Sequence, residues 1–391
     1  MAHSLSILHI DGDDFFASLF RNRNPKLKKR PLIIGHLQSR GYVTAASYEA
    51  RQSGVHRGLT VMQAKRLCPD ANLEQIDWAL IRRASTTLNG HIRSYSPQVE
   101  QSGIDSFFMD YTGCEQLFGK PSMLASKLQR EIRDDLKVGV SVGLSADKAV
   151  SAVACRAAKL GRFQDVRPGE EQSFLNGCPL EWLPGITEQH RKRFKLLGIV
   201  TIDQLASIPE EVLIQLLGIM GRTLSIRARG LEHALVQPCR RRDEPSVSYK
   251  FPEDILDRSM TIARLAQMAG LLGTILRQRH RSTRYLNVRI GFADGVVVSK
   301  QDCLDYPTHC DPDIFRGARK IFHRLDTRRV RIRELVLQAR HMIYCPSELP
   351  LGPDAIRRMR WDQILCTADT IRHRFPQNPF ALTLGSARVV N

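Results

Sequence analysis

SILHIDGDDFFASLF, at residues 6–20, contains a buried strand, a run of carboxylates and the start of a helix in direct succession. Its apolar residues 7–10 have the length and branching of a strand inside a sheet. Asp11, Asp13 and Asp14 follow, and carboxylates at the end of an apolar strand are costly unless a positive charge lies beside them. Because Mg²⁺ takes one or two carboxylates together with substrate phosphates, a divalent cation is one explanation. Capping of the following helix by Asp13 or Asp14 is the alternative that remains open.

A second acidic stretch, YSPQVEQSGIDSFFMDYTG at residues 95–113, has two short strand-like runs around Gly103, with Asp105 in an apolar setting. If the strands that carry them are neighbours in one sheet, Asp11 and Asp105 meet and clamp metal ions between them. Such a pair is the apparatus of two-metal phosphoryl or nucleotidyl transfer. The spacing by itself leaves this as a hypothesis.

Four motifs make the chain resemble the Y-family of translesion DNA polymerases. ILHIDGDDFFASLF resembles the opening motif of that family, and TAASYEARQSGVHRGLTVMQAKRLCP (residues 44–69) resembles its fingers motif. SYSPQVEQSGIDSFFMDYTG is similar to the second catalytic motif, and VGLSADKAVSAVACRAAKLG (residues 142–161) to the strand-and-helix motif that follows it. The motifs occur in the family's order. The resemblance therefore implies an α+β, multidomain right-hand polymerase.

The resemblance also divides the chain into the parts of such a polymerase. Strand-like and helical stretches alternate in the expected palm, which suits a ferredoxin-like sheet. The expected parts are a palm at 1–23 and 80–165, fingers at 24–79, a helix–hairpin–helix thumb at 166–236, a linker at 237–246, a βαββαβ little finger at 247–345 and a C-terminal tail at 346–391. In the tail, residues 355–375 are expected to form an amphipathic helix that packs back onto the body or meets another protein.

Site residues follow from the same resemblance. Asp11 and Asp105 match the catalytic carboxylates, which with the Gly12 carbonyl hold two Mg²⁺ ions, Mn²⁺ being an alternative ion. The nucleotide-binding candidates are Phe15, Phe16, Tyr48, Arg51 and Lys159. Phe16 matches the bulky side chain that collides with a ribose 2′-OH, whereas Phe15 can serve the core. Arg51 offers the planar fork that phosphate oxygens favour.

Residue 106 departs from the family pattern. The family has an Asp-Glu pair whose Glu is the third metal-binding carboxylate, and this chain has Asp105-Ser106. Ser106 carries no charge, so we interpret it as a degraded catalytic position. Water, Asp14 or Glu100 is the candidate replacement for the missing ligand. Two functions stay open: a slow translesion polymerase, or a non-catalytic DNA-binding adaptor that recruits an active polymerase.

Basic composition predicts contacts with primer–template DNA. The chain has 58 Lys and Arg against 40 Asp and Glu, a net charge of +18, which suits a polyanionic partner. Arg331 and Arg333 fall on one face of a predicted strand at period two, where they would contact phosphates. In the thumb, a hairpin with Gly185 and Thr187 is expected to offer N–H groups to a DNA phosphate, with Thr187 where the family has a further Gly.

Cysteines and the tail limit the other partners. The nine cysteines are scattered without a C-x-x-C pair, so neither a zinc site nor a disulfide framework is predicted. The sequence predicts no membrane span and no leader, and hence a cytoplasmic, bacterial-type protein associated with the nucleoid. Family members often carry a sliding-clamp peptide with a Gln and an aromatic anchor. Glu348-Leu349-Pro350-Leu351-Gly352 lacks both, which argues against clamp binding and leaves other polymerase subunits as candidate partners.

Overall fold

The acidic strand of the opening motif lies in the middle of a five-stranded sheet. It is strand β1 (Ile7–Asp13), and its first four residues are buried, as the apolar run predicts. The computed structural model describes residues 5–28, 30–37, 41–232, 234–238, 244–344 and 353–374. The chain divides into an N-terminal unit, residues 1–239, and a C-terminal unit, residues 240–391. This boundary lies within the predicted linker.

The helices and strands of the N-terminal unit alternate along the chain. Its strands are β1, β2 (Leu32–Gly35), β3 (Val43–Ala46), β4 (Asn72–Gln75), β5 (Val99–Gln101), β6 (Ser106–Asp110), β7 (Gly139–Ser145) and β8 (Phe163–Asp165). Its helices are α1 (Phe15–Arg23), α2 (Tyr48–Gln52), α3 (Val61–Leu67), α4 (Trp78–Arg93), α5 (Glu115–Phe118), α6 (Pro121–Leu136), α7 (Lys148–Ala157), α8 (Glu171–Leu175), α9 (Glu188–Leu196), α10 (Ile202–Ala206), α11 (Glu210–Leu217) and α12 (Ile219–Ala228).

The five-stranded sheet has the order β5-β6-β1-β7-β8. Strand β1 is antiparallel to both β6 and β7, and its Asp11 is paired with Ser106 on one side and Ser141 on the other. Strand β8 runs parallel to β7. Apolar side chains of α4 and α6 form one core with the sheet, which agrees with their burial along one helix face. The α+β class and the ferredoxin-like sheet are thereby confirmed.

Residues 24–79 add a small sheet of their own. Its order is β3-β2-β4, with β2 antiparallel to β3 and parallel to β4. A separate apolar cluster around Ile33, Val43 and Ala64 stabilises it. Helix α2 begins at Tyr48 because the Ser47 side chain accepts a hydrogen bond from the Ala50 N–H, a typical N-cap. The start of α2 therefore has a defined position directly after β3 of this small sheet.

Helices α8 to α12 form the next part, without a sheet among its described residues. Phe194, Leu205 and Leu224 are buried in its core. Helices α11 and α12 approach closely at Gly221, where an added Cβ would lie 1.9 Å from the Leu213 carbonyl oxygen. The predicted helical character of residues 166–236 agrees with this arrangement.

The C-terminal unit has the order β-α-β-β-α-β, as predicted. Its elements are β9 (Ser246–Ile255), α13 (Arg258–Gln278), β10 (Arg281–Phe292), β11 (Val297–Thr308), α14 (Asp311–Leu325), β12 (Ile332–Tyr344) and α15 (Pro353–Arg374). The sheet order is β11-β10-β12-β9, with every pair antiparallel. Strand β12 starts at Ile332, so Arg331 precedes the strand on which the sequence analysis placed it.

Helix α15 confirms the helix expected in the tail. Leu365 is fully buried and Ala368 is nearly so, and Asp369 forms an ion pair of 2.6 Å with Arg277 of α13. The helix thus packs onto its own unit. The segment Glu348-Leu349-Pro350-Leu351-Gly352 and residues 239–243 of the linker lie outside the described residues.

Helix α13 is long and apolar enough to cross a membrane by length and composition, a property that the sequence analysis did not anticipate. Its Leu265, Leu272 and Leu276 are fully buried between the sheet and α14. A buried core helix can have the same length and apolar composition as a membrane span, so we interpret α13 as the core helix of the C-terminal unit.

Candidate functional site

The two predicted carboxylates, Asp11 and Asp105, lie beside each other at one end of the five-stranded sheet. Asp11 is paired with Ser106 across β1 and β6, and Asp105 directly precedes β6. The Gly12 N–H donates a 2.9 Å hydrogen bond to the Asp105 carbonyl oxygen, which ties the two segments together. Burial, and after it the Asp11 carboxylate, raise the pKa of Asp105 to about 6. The two carboxylates therefore interact electrostatically.

Lys159 bridges Asp11 and Asp13. Its Nζ lies 2.5 Å from an Asp11 carboxylate oxygen and 3.0 Å from one of Asp13. Burial acts to lower the pKa of Lys159, but the two carboxylates outweigh it and the pKa is raised. Asp13 also accepts hydrogen bonds from the Ser141 hydroxyl and the Gly161 N–H, each at 2.7 Å. Because these bonds occupy Asp13, it anchors Lys159 and does not cap α1.

The Ser106 side chain forms hydrogen bonds with two neighbouring side chains at the same end of the sheet. Its Oγ lies 2.9 Å from His9 Nε2 and accepts a 3.0 Å hydrogen bond from the Ser102 hydroxyl. Burial lowers the pKa of His9 to about 4, so its imidazole is neutral at pH 7. Nδ1 of His9 is buried and meets no hydrogen-bond partner among the described residues. Ser106 and His9 thus form a neutral hydrogen-bonded pair at this end of the sheet.

Both acids named as replacements for a third carboxylate, Glu100 and Asp14, are bonded to other groups. Glu100 forms a 2.6 Å ion pair with Lys148 and accepts a 2.9 Å hydrogen bond from the Gln237 N–H. Asp14 pairs with Arg51 and accepts a 2.9 Å hydrogen bond from the Tyr48 N–H. Although it occupies the N-cap position of α1, its side chain makes no capping bond there. Of the two explanations that the sequence left open for these carboxylates, side-chain capping of α1 by Asp14 is therefore wrong.

The remaining nucleotide-binding candidates differ in access. Tyr48 is 50% exposed and the Arg51 side chain 53% exposed, both on α2. Phe16 is half-buried and packs against the core, with its ring centroid 6.0 Å from that of Phe15. Phe15 is only 2% exposed and belongs to the core. Of the two rings, Phe16 alone remains a candidate for contact with a nucleotide.

The donor set of Asp11, Asp105 and the Gly12 carbonyl fits a hard divalent cation. Asp105 is a partly buried carboxylate whose pKa is raised by burial and by a second carboxylate, a situation that a shared cation would relieve. Mg²⁺ is commonly bound by one or two carboxylates with substrate phosphates. In the described part of the chain, no three His, Cys, Asp or Glu side chains converge closely enough to hold a metal by themselves. The set therefore suits an ion whose other ligands come from substrate or water.

The thumb hairpin already uses part of its N–H groups internally. Gly185 has a φ of +97°, which favours glycine at this position. Thr187 is the N-cap of α9 and forms a capping box with His190, so its own N–H bonds to His190 Nδ1 at 3.4 Å. The Ile186 N–H donates to the Leu183 carbonyl at 3.2 Å. The N–H groups of Ile186 and Thr187, which were expected to contact a DNA phosphate, are therefore already hydrogen-bonded within the thumb.

Arg331 and Arg333 have different surroundings in the C-terminal unit. Arg331 is exposed. Arg333 forms a 3.1 Å ion pair with Asp254 of β9 and donates a 2.8 Å hydrogen bond to the Ala293 carbonyl. The two arginines, equivalent in the sequence pattern, therefore differ in how much of their charge is balanced within the protein.

The sequence analysis missed His9 and Lys148 near the site, and it did not foresee the bond of Asp13 to Lys159. Residues two apart on a strand share a face, so His9 and Asp13 could have been placed beside Asp11 from the spacing of β1. Lys148, whose Nζ lies 4.9 Å from the Phe108 ring centroid, gave no such signal. Its place depends on how the start of α7 lies over β6, a tertiary contact without a local pattern.

Two family models match the chain. The impB/mucB/samB family model matches residues 10–156, which include both carboxylates and Lys148. The model of the C-terminal domain of the impB/mucB/samB family matches residues 244–348. Each match thus falls in one of the two units.

Curated relatives and solved structures agree with these models. The chain is 31% identical to a DNA polymerase IV of Dehalococcoides mccartyi over 373 residues, 94% of each chain, and 29% identical to that of Caulobacter vibrioides over 319 residues, 81% of this chain and 79% of the relative. A Y-family DNA polymerase chimera matches 87% of this chain and 99% of its own at 20% identity, with a TM-score of 0.75. An insertion ternary complex of Dbh DNA polymerase matches with the same coverage, 21% identity and a TM-score of 0.61.

Proposed function

The chain belongs to the Y-family of DNA polymerases, and from this premise we propose that it is a DNA-directed DNA polymerase that extends primers on damaged templates. The adjacency of Asp11 and Asp105 at the end of β1 and β6 carries the proposal. Catalysis of nucleotidyl transfer is largely positioning and stabilisation of developing negative charge, for which a site of this kind is suited.

Each side chain around the carboxylates has a task in this proposal. Arg51 and Tyr48 hold the triphosphate from α2, and Lys159 neutralises it from the opposite side. Because Lys159 is bonded to Asp11 and Asp13, it is held in place before a nucleotide arrives. Phe16 lies under the sugar and excludes a 2′-hydroxyl. A primer 3′-hydroxyl is thus aligned with the α-phosphate.

Asp11, Asp105 and the Gly12 carbonyl would hold the divalent cations. Bound there, Mg²⁺ would lower the pKa of the 3′-hydroxyl and neutralise charge on the phosphates. Ser106 provides no charge for a second ion, so the protein would depend on substrate oxygens and water for its remaining ligands. A lower rate than that of an enzyme with three carboxylates is the expected consequence.

The Ser106 hydroxyl also favours a second function. Its bonds to His9 and Ser102 make a neutral, internally satisfied sheet end where the third carboxylate would stand. A DNA-binding adaptor without turnover needs no charge at this position. Against it, an adaptor has no use for Lys159, Arg51 and Tyr48 together around a pair of carboxylates.

Primer extension by the purified full chain, with Mg²⁺ or Mn²⁺, separates the two functions. We expect the unmodified protein to extend a primer, Asp105→Ala to abolish extension, and Ser106→Glu to increase its rate. Asp110→Asn is the matched control, because Asp110 is on the same strand as Ser106, at its far end, where its side chain accepts the Thr112 N–H. This variant should extend primers like the unmodified protein.

Two results would contradict this proposal, the first in the role of Asp105 and the second in the activity itself. Extension that persists unchanged in Asp105→Ala would remove this carboxylate from the chemistry. Extension that appears only after Ser106→Glu would identify the natural protein as an adaptor. Primer–template DNA and dNTPs are the proposed partners in either test, and the cytoplasmic location remains a prediction.

A further inference from the structure

Asp14 is an acid at the point where β1 passes into α1, facing the small sheet of residues 24–79. Its backbone is left-handed, with a φ of +49°, a conformation that Asp and Asn adopt more readily than other non-glycine residues. The side chain is 18% exposed and makes no capping hydrogen bond to the helix that follows. Its hydrogen bonds go instead to α2.

Both candidates for triphosphate binding on α2 are attached to this one carboxylate. One guanidinium nitrogen of Arg51 donates to Asp14 Oδ1, and the Tyr48 N–H donates to Oδ2 at 2.9 Å. Arg21 of α1 lies 3.8 Å from the same carboxylate. Asp14 therefore contacts both residues of α2 that the proposed function assigns to the triphosphate.

The charges around Asp14 balance. Arg21 also forms a 2.8 Å ion pair with Glu49, so that two arginines and two acids alternate across α1 and α2. An incoming triphosphate must either displace Asp14 from Arg51 or share the guanidinium with it. Sharing leaves two anions close together, and their repulsion raises the free energy of the nucleotide complex.

We propose that the Asp14 carboxylate competes with the nucleotide's triphosphate for Arg51. Asp14 is a positioning residue that holds Arg51 and the start of α2 in the free protein, and it lowers the affinity for the incoming dNTP. The inference rests on the proposed function, because it requires Arg51 and Tyr48 to bind a triphosphate. Half-saturation with dNTP consequently requires a higher nucleotide concentration than it would if no carboxylate lay beside Arg51.

Nucleotide binding by Asp14→Asn tests the proposal without any turnover. Asn suits the left-handed backbone and keeps an oxygen for the Tyr48 N–H, but it has no charge. The probe is dATP with Mg²⁺, titrated into the full chain bound to a primer–template whose primer ends in a dideoxynucleotide. We expect its Kd to fall about twofold to fivefold, the range for one partly exposed ion pair. Asp14→Gly, which also fits this backbone, should lower the Kd as well.

Two comparisons isolate the contact with Arg51. Glu49→Gln removes one negative charge, as Asp14→Asn does. Because Glu49 pairs with Arg21, this variant should leave the Kd for dATP unchanged. In an Arg51→Ala background, where dATP binding is weaker, adding Asp14→Asn should no longer improve it. A merely structural role of Asp14 would not produce this dependence on Arg51.

The outcomes separate the inference from the proposed function. If the unmodified protein binds dATP and Asp14→Asn leaves the Kd unchanged or raises it, the inference is wrong and the proposed function stands. An equal gain in Glu49→Gln, or an undiminished gain without Arg51, also overturns the inference. Absence of dATP binding in the unmodified protein and in every variant would overturn both.

Discussion

Gly143 leaves no room for a side chain between β7 and α7. An added Cβ would lie 2.2 Å from the Cys155 backbone nitrogen and 2.3 Å from the Ser151 carbonyl oxygen, both of them main-chain atoms of α7. Because helix and strand cannot separate without opening the core beside Asp11, we expect Gly143→Ala to reduce the free energy of unfolding by about 3 kcal/mol, at the upper end of overpacking costs. Urea unfolding followed by circular dichroism measures this.

Gly90→Ala is the control for the same chemical change. Gly90 is exposed on α4, and a Cβ there meets nothing within 4 Å. Since Ala is the better helix former, this variant should gain about 0.5–1 kcal/mol. A Gly143→Ala protein as stable as Gly90→Ala would show that β7 and α7 are less closely packed than described.

At the same scale, the sequence predicted the carboxylates better than their partners. Asp11 and Asp105 were expected to meet because each follows or precedes an apolar strand of the same sheet, and the register of β1 and β6 places them together. That Asp14 would pair with Arg51 could not be derived, because the two residues meet through the packing of α1 against the small sheet. Local patterns carry no information on such a contact.

Among the elements, α15 depends on a charge network inside the C-terminal unit. The Arg277 side chain is 10% exposed and lies 2.7 Å from Asp311 of α14 and 2.6 Å from Asp369 of α15. In Arg277→Met, both carboxylates lose this guanidinium while they remain mostly buried. We expect a loss of about 3–5 kcal/mol in the free energy of unfolding, the cost of breaking a buried ion pair.

Arg289→Met, on β10 of the same unit, is the matched control. Its pair with Glu334 has exposed fractions of 48% and 39%, so the expected loss is below about 1 kcal/mol. Thermal unfolding of the full chain compares the two variants, and limited proteolysis within α15 reports whether this helix has detached. Equal melting temperatures for the two variants would contradict a stabilising role for this network.

Element types could be predicted because their periodicity is local, whereas their ends could not. The order of helices and strands in the C-terminal unit was predicted correctly, but β12 begins after Arg331, which was expected on the strand, and extends to Tyr344. Its last residues alternate less clearly in the sequence. They pair with the start of β10, and this pairing, rather than their own side chains, keeps them extended.

For the whole molecule, a net charge of +18 predicts that DNA binding weakens steeply as salt is added. Each phosphate neutralised by the protein contributes about 0.9 to the slope of log K against log salt concentration. Composition predicted this general behaviour. It could not predict which arginines contribute, because that depends on the acids that the fold brings beside them.

Arg331 and Arg333 provide the test at this scale. Arg331 is exposed, whereas the charge of Arg333 is already balanced by Asp254 at 3.1 Å. If Arg331 contacts a DNA phosphate, Arg331→Gln should reduce the slope by about 0.9. Arg333→Gln should change it much less, because the salt bridge with Asp254 must be given up before Arg333 can pair with DNA. Fluorescence anisotropy with a labelled primer–template at several salt concentrations measures both slopes, and equal reductions would show that Asp254 does not hold Arg333 away from the DNA.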